Sequence, residues 1–190
     1  GRDIVQDAPE LYIDLDVESD GIARYGSLFS IGAVSPWGEE FYRELRPTAS
    51  EWIAGNRVFC EKHGLVRDRL LREGAEPALA IKELSDWEQE LRDRHQKRGQ
   101  SVIVAFNASY DFPLINLEYK RAQIDNPFGV AGYCVKSLAM QFAPTYDWQS
   151  TEKSRLPTEL IPAGDFTHHA LEDARYQQKL HFAMVGQSRK

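Results

Sequence analysis

LYIDLDV, residues 11 to 17, alternates apolar and acidic side chains with a period of two, the pattern of a β-strand with one polar face. Asp14, Asp16 and, one step beyond the quoted stretch, Glu18 lie at i, i+2 and i+4, so their side chains project from the same side of that strand. Working outward, Leu28 to Ser35 (LFSIGAVS) and Glu40 to Leu45 (EFYREL) read as further strands. Pro36, Trp37 and Gly38 between them form a turn, so the chain opens as a three-stranded meander of antiparallel neighbours.

Beyond the meander the period changes. From Ala78 to Arg98, Leu79, Ile81, Leu84, Trp87 and Leu91 recur at helical spacing, and Gly99 stands where a helix stop is expected. Ser101 to Phe106 (SVIVAF) is almost wholly apolar, as a strand covered on both faces would be. A helix over Tyr110 to Ala122 and a short strand near Gly132 to Val135 complete a βαβ-like unit. Residues 141–165 carry Pro144, Pro157 and Pro162 among polar residues and read as a long loop or irregular insertion, a common location for functional contacts. His168 to Val185 reads as a terminal helix.

A chain of 190 residues with 42% hydrophobic content suits one compact domain with its own core. No apolar run approaches the ~20 residues of a membrane span, and the first residues lack a signal pattern, so the expected location is cytoplasmic. Cys60 and Cys134 stand apart from each other and from any CxxC spacing, which points to buried reduced thiols instead of a disulfide framework or a zinc site. Taken alone, the formal charge of −6 disfavours a polyanionic partner. Four carboxylates gathered at one metal centre would account for much of it, however, and bound cations would cancel it locally.

Three acids on one strand face repel one another unless water or cations neutralise them, so a metal centre and an exposed acidic strand edge fit Asp14, Asp16 and Glu18 equally well. An EF-hand reading of Asp16 to Gly21 fails, because the twelfth position is Ser27 and the preceding segment has strand periodicity. Two further segments decide the matter: Asn107-Ala108-Ser109-Tyr110-Asp111 directly after SVIVAF, and His168-His169-Ala170-Leu171-Glu172-Asp173 opening the last helix. With D-x-E on the first strand, N-x-x-x-D after an inner strand and H-x-x-x-x-D at the last helix, in that order, the sequence resembles the DEDDh 3′→5′ exonucleases, the group of ribonuclease T, oligoribonuclease and polymerase proofreading subunits. His63-Gly64-Leu65 matches the group's HG-Ile/Leu segment, and the resemblance spans about Leu11 to Val185.

The resemblance implies an α/β, ribonuclease H-like fold with a central mixed five-stranded sheet flanked by helices. It implies Asp16, Glu18, Asp111 and Asp173 as ligands to two Mg²⁺ ions, with Mn²⁺ able to substitute, and His168 as general base. Asp14 is then a bystander at the exposed start of its strand, and His95 and His181 have no role. Helical spacing alone would pair Asp173 with His169, four residues away, so His169 stays as the fallback base. The implied substrate is a single-stranded RNA or DNA 3′ end. Ile22 matches the group's apolar wedge position, Asn107 and Tyr110 stand near the terminal nucleotide, and Tyr146, Trp148, Lys153 and Arg155 form an aromatic and basic set within reach of a strand. A proofreading partner of a polymerase and a binding module that does not cut are the alternatives, and many members of the group pair as homodimers.

Overall fold

The computed structural model of the protein describes residues 1–22 and 26–190, the Lys153 side chain excepted. A short helix, α1 (Arg2–Asp7), precedes the meander β1 (Leu11–Ser19), β2 (Leu28–Val34) and β3 (Glu40–Glu44). Helices α2 (Ala54–Lys62), α3 (Arg67–Glu73) and α4 (Pro77–Arg94) lead to β4 (Ser101–Ala105), α5 (Ala108–Ala122), β5 (Tyr133–Cys134) and α6 (Val135–Ala139). Three single turns of 3₁₀ helix fill 148–160 before the terminal helix α7 (Ala170–Ser188). The sheet order is β3-β2-β1-β4-β5, antiparallel from β3 to β1 and parallel from β1 to β5.

The alternation of β1 divides the molecule into layers. Leu11, Ile13, Leu15 and Val17, each at most 2% exposed, join Ile81, Leu84, Ile115 and Tyr119 in the core that α4 and α5 build on one side of the sheet. The opposite side packs against α7, and Val104, Leu180 and Met184 form a second apolar cluster there. That packing overturns the expectation for Asp14: it is fully buried, with Gln177 Nε2 3.0 Å from Oδ2 and His181 Nδ1 3.3 Å from Oδ1. The strand's polar face is covered by a helix, and periodicity alone does not reveal the cover. His181, expected to be idle, is buried in this network, and His95 stacks on Trp37 while bonding Glu39.

Gly32 sets how close α7 can come. It pairs with Asp16 across β1 and β2, and a Cβ there would lie 2.2 Å from the Leu171 nitrogen and 2.3 Å from the Ala170 carbonyl carbon. The first turn of α7 therefore rests directly on β2 backbone, and the small, buried Ala170 completes the contact. A glycine within a strand commonly marks this kind of close approach.

Helix boundaries shift where backbones turn left-handed. The helix expected over Ala78 to Arg98 ends at Arg94, with Gln96 at φ +53°, and Gly99 packs against Pro9 instead of stopping the helix. Asn107 takes φ +66° and ends β4, so α5 begins at Ala108, two residues before the expected start. Residues 141–165 are irregular as expected, yet Leu156 and Leu160 anchor them in the second core. Cys60 is buried, Cys134 is half-buried, and both are free thiols.

Candidate active site

Four chain segments meet over the polar end of β1. Asp16 and Glu18 project from the strand. Asp111 sits in the first turn of α5, 2% exposed, with its Oδ1 accepting the Val17 N–H at 3.1 Å. Asp173, 4% exposed, stands in the first turn of α7, where its Oδ1 accepts the Thr167 N–H at 2.8 Å. All four carboxylates line a cavity of about 400 Å³ that His168, Asn107, Tyr110 and Phe59 also border. Glu18, His168 and Asp173 each offer a ligand atom, and these atoms lie within 4.8 Å of one another.

The two histidines part company here. His168 takes φ +61° before α7 begins, which swings its ring into the cavity, against the Phe59 ring (4.4 Å between centroids) and the His63 ring (4.6 Å), which also touch each other at 4.5 Å. His169 is the N-cap of α7, its carbonyl accepts the Asp173 N–H at 2.9 Å, and its ring stacks on Tyr42 at 4.5 Å. The i, i+4 relation to Asp173 therefore closes a backbone hydrogen bond and does not bring the His169 imidazole to the carboxylate. Phe59 and His63 are positions that no sequence pattern flagged as supports for His168. The HG segment was visible, but its contact with the last motif exists only in three dimensions.

The electrostatics follow from crowding. Burial, and then the charges of Asp111, Glu18 and Asp173, push Asp16 well above the usual carboxylate range. Burial and the Asp173 charge push Glu18 up to about 8. Asp111 and Asp173 are raised mainly by burial, against the backbone N–H bonds that favour their charged forms. Burial holds His168 below the ordinary imidazole value, so the ring is neutral near pH 7 and has a proton-accepting nitrogen. Among the described residues Oδ2 of Asp16 is buried with no hydrogen-bond partner, an expensive arrangement unless a cation completes it. Four carboxylates and one imidazole, with oxygen donors dominant, are the donor set that hard divalent cations prefer.

Of the residues expected to touch substrate, Tyr110 lies in the cavity wall, its hydroxyl 2.6 Å from Ser19 Oγ and 3.3 Å from the Gly21 carbonyl. Ile22, 43% exposed, follows directly on that braced Gly21. Asn107 is exposed, and its Oδ1 accepts from Ser109 Oγ at 2.9 Å. A second cavity of about 340 Å³ shares Asn107 with the first and is bordered by Phe112 and Trp148. Trp148 is half-exposed with the Lys136 ammonium 4.4 Å from its ring, and Tyr146 is exposed at 89%. Arg155 is exposed too, whereas the Lys153 side chain lies outside the described residues.

Comparison with known proteins agrees with this geometry. A family model described as the 3′-5′ exoribonuclease Rv2179c-like domain matches residues 11–185. The 3′-5′ DNA exonuclease Cap18 of Escherichia coli is 32% identical over 175 residues, 90% of this chain and 89% of that protein. The PolC-type DNA polymerase III of Bacillus subtilis is 26% identical over 113 residues, which is 59% of this chain but only 7% of that protein. Among solved structures, the nuclease domain of 3′hExo, a DEDDh family member bound to rAMP, superposes with a TM-score of 0.70 at 11% identity, over 93% of this chain and 92% of the other. Pop2p of S. pombe, in a Mg²⁺- and Mn²⁺-bound form, gives 0.61 at 14% identity, over 97% of this chain and 86% of its own. Fold, motifs and relatives together define a 3′→5′ exonuclease of the DEDDh group, with the ribonuclease H-like mixed sheet. Within that group the chain belongs to the Rv2179c-like 3′-5′ exoribonuclease domain family. No helix among the described residues is long and apolar enough to cross a membrane.

Proposed function

We propose that this chain, acting as one catalytic unit, removes nucleotides from the 3′ end of single-stranded nucleic acid, with two Mg²⁺ ions held by Asp16, Glu18, Asp111 and Asp173 and with His168 as general base. The observation that carries the proposal is the convergence of Glu18 on β1 with His168 and Asp173 at the start of α7, two segments far apart in the chain, to within 4.8 Å of one another. Divalent cations at such a centre acidify water and stabilise charge on the attacking and leaving oxygens, and Mn²⁺ can replace Mg²⁺. The protein's own part is positioning and proton transfer. Neutral His168, packed against the Phe59 and His63 rings, accepts a proton on a ring nitrogen as water attacks phosphorus. Asp173 beside it favours the imidazolium that results. Tyr110 braces the Ser19 to Gly21 wall, Ile22 supplies an apolar edge for the terminal base, and Asn107 contacts the terminal nucleotide at the mouth of the cavity.

The family is described as exoribonuclease, whereas Cap18 is a DNA exonuclease, so sugar preference is the open choice between these relatives. Discrimination rests on contacts to the 2′-OH, which the carboxylate set does not supply. The test is digestion of 3′-labelled single strands of RNA and of DNA, each with free and blocked 3′ ends, in Mg²⁺. Release of labelled mononucleotide from free ends only, abolished in Asp173→Asn with unchanged circular dichroism, is the expected result. A protein that retains the strand with its label intact is a binding module, and turnover in Asp173→Asn would remove that residue from the site.

A further inference from the structure

One helical turn beyond Asp173, on the same face of α7, lies Gln177, 1% exposed. Its carboxamide is engaged on both sides. Oε1 accepts the Phe106 N–H at 2.9 Å, while Nε2 donates to the Val104 carbonyl at 2.8 Å and to Asp14 Oδ2 at 3.0 Å. Two of these bonds end on β4 and the turn that leads from it into α5, which carries Asp111, and the third ends on β1, which carries Asp16 and Glu18. Phe106 directly precedes Asn107, whose left-handed backbone turns β4 into α5 and so aims Asp111. Asp14 lies two residues before Asp16 on the same strand face, and its other oxygen faces His181 Nδ1 at 3.3 Å. Gln177 itself rides on the helix that presents Asp173.

We propose that Gln177 is a positioning residue of the exonuclease, a single amide that locks β1, the β4–α5 junction and α7 into the one arrangement that converges the four acids; this rests on the metal site proposed above. The side chain has to be an amide because it faces a donor on one side and two acceptors on the other. A carboxylate would keep the acceptor for Phe106 but set a second negative charge against Asp14. A thioether would fill the volume and supply neither role. For packing alone, an apolar residue would serve at a position this buried, and a polar one leaves a desolvation cost unless every bond is made. Groups that orient ligands in this way typically change metal affinity or activity by about 10–100-fold when replaced.

The test compares Gln177→Met, Gln177→Glu and a core variant on the other side of the sheet, Leu84→Ala. Three quantities are read: melting temperature, Mn²⁺ affinity of the protein without nucleic acid by the paramagnetic resonance of free Mn²⁺, and kcat and KM on a 3′-labelled strand. The expected result is a loss of Mn²⁺ affinity of about 10-fold or more in both Gln177 variants, with kcat falling and KM little changed. Leu84→Ala should lose stability and keep Mn²⁺ affinity within about 2-fold. Native Mn²⁺ affinity in a folded Gln177 variant would overturn the proposal, as would a loss in Leu84→Ala that scales with its lower melting temperature. Should Gln177→Met fail to fold, Gln177→Glu, which keeps the bulk and the Phe106 acceptor, decides by the same ratio. Asp173→Asn run in parallel separates the two readings. If it binds Mn²⁺ and cleaves like the native protein, the metal site falls and Gln177 with it; if it is inactive while the Gln177 variants match the native protein, only the positioning role falls.

Discussion

Without metal, the carboxylate cluster should make the protein less stable as pH rises through the neutral range. Glu18 shows the sign. Its folded value of about 8 stands above the ordinary 4.5. Below 4.5 it is protonated in both states and contributes no penalty; between 4.5 and 8 the unfolded chain loses a proton that the folded site retains; above 8 the full penalty applies. The slope in that window approaches 1.36 kcal/mol per pH unit, so from about pH 5.5 to 7.5 Glu18 alone could remove almost 3 kcal/mol, and solvent screening at this half-buried group lowers that to about 1–2 kcal/mol. Asp16, Asp111 and Asp173 are raised as well and act in the same direction. His168 opposes them, because a depressed imidazole contributes stability as pH rises toward its unfolded value, but it is one group against four. Glu39, lowered to about 2, has its contribution fully in place throughout this window and adds no slope. For a chain of this size the expected fall in melting temperature is about 3–8 °C in chelator between pH 5.5 and 7.5, with Mg²⁺ restoring most of it at the upper pH. The assay is a series of thermal melts by circular dichroism with EDTA or Mg²⁺, on the native protein and on Glu18→Gln. A melting temperature in EDTA that holds level or rises over this range would refute the reasoning, and so would a Glu18→Gln slope equal to the native one.

Three other outcomes follow from particular contacts. Gly32→Val should lift the first turn of α7 off β2, costing roughly 1–3 kcal/mol by overpacking and lowering cleavage by at least ~100-fold, read by thermal melt and nucleotide release. His168→Ala should lower kcat by about 10²–10⁴-fold, whereas His169→Ala, whose ring stacks on Tyr42, should stay within a few-fold of native in the same assay. Tyr110→Phe removes the hydroxyl that bonds Ser19 and Gly21, and should cost about 1 kcal/mol of stability and raise KM more than it lowers kcat in a substrate titration.

The strands and the two long helices could be read from the chain because they depend on local pattern, alternation in LYIDLDV and helical spacing around Leu84, whereas the four acids were singled out by the family resemblance that the order of D-x-E, N-x-x-x-D and H-x-x-x-x-D carries. What periodicity cannot report is which face another element covers. Asp14 looked like an exposed acid and is wholly buried, because the neighbour that covers it arrives 163 residues later in Gln177. The choice between His168 and His169 was likewise out of reach of helical spacing, since it turns on a left-handed backbone at His168 and on the rings of Phe59 and His63, which come from another part of the chain. By itself the sequence determined which residue types are available and which face of their own strand or helix they occupy. Only the tertiary structure decided which faces meet, through contacts such as α7 against Gly32, because convergence of distant segments is set by packing between elements and not by the order of residues within them.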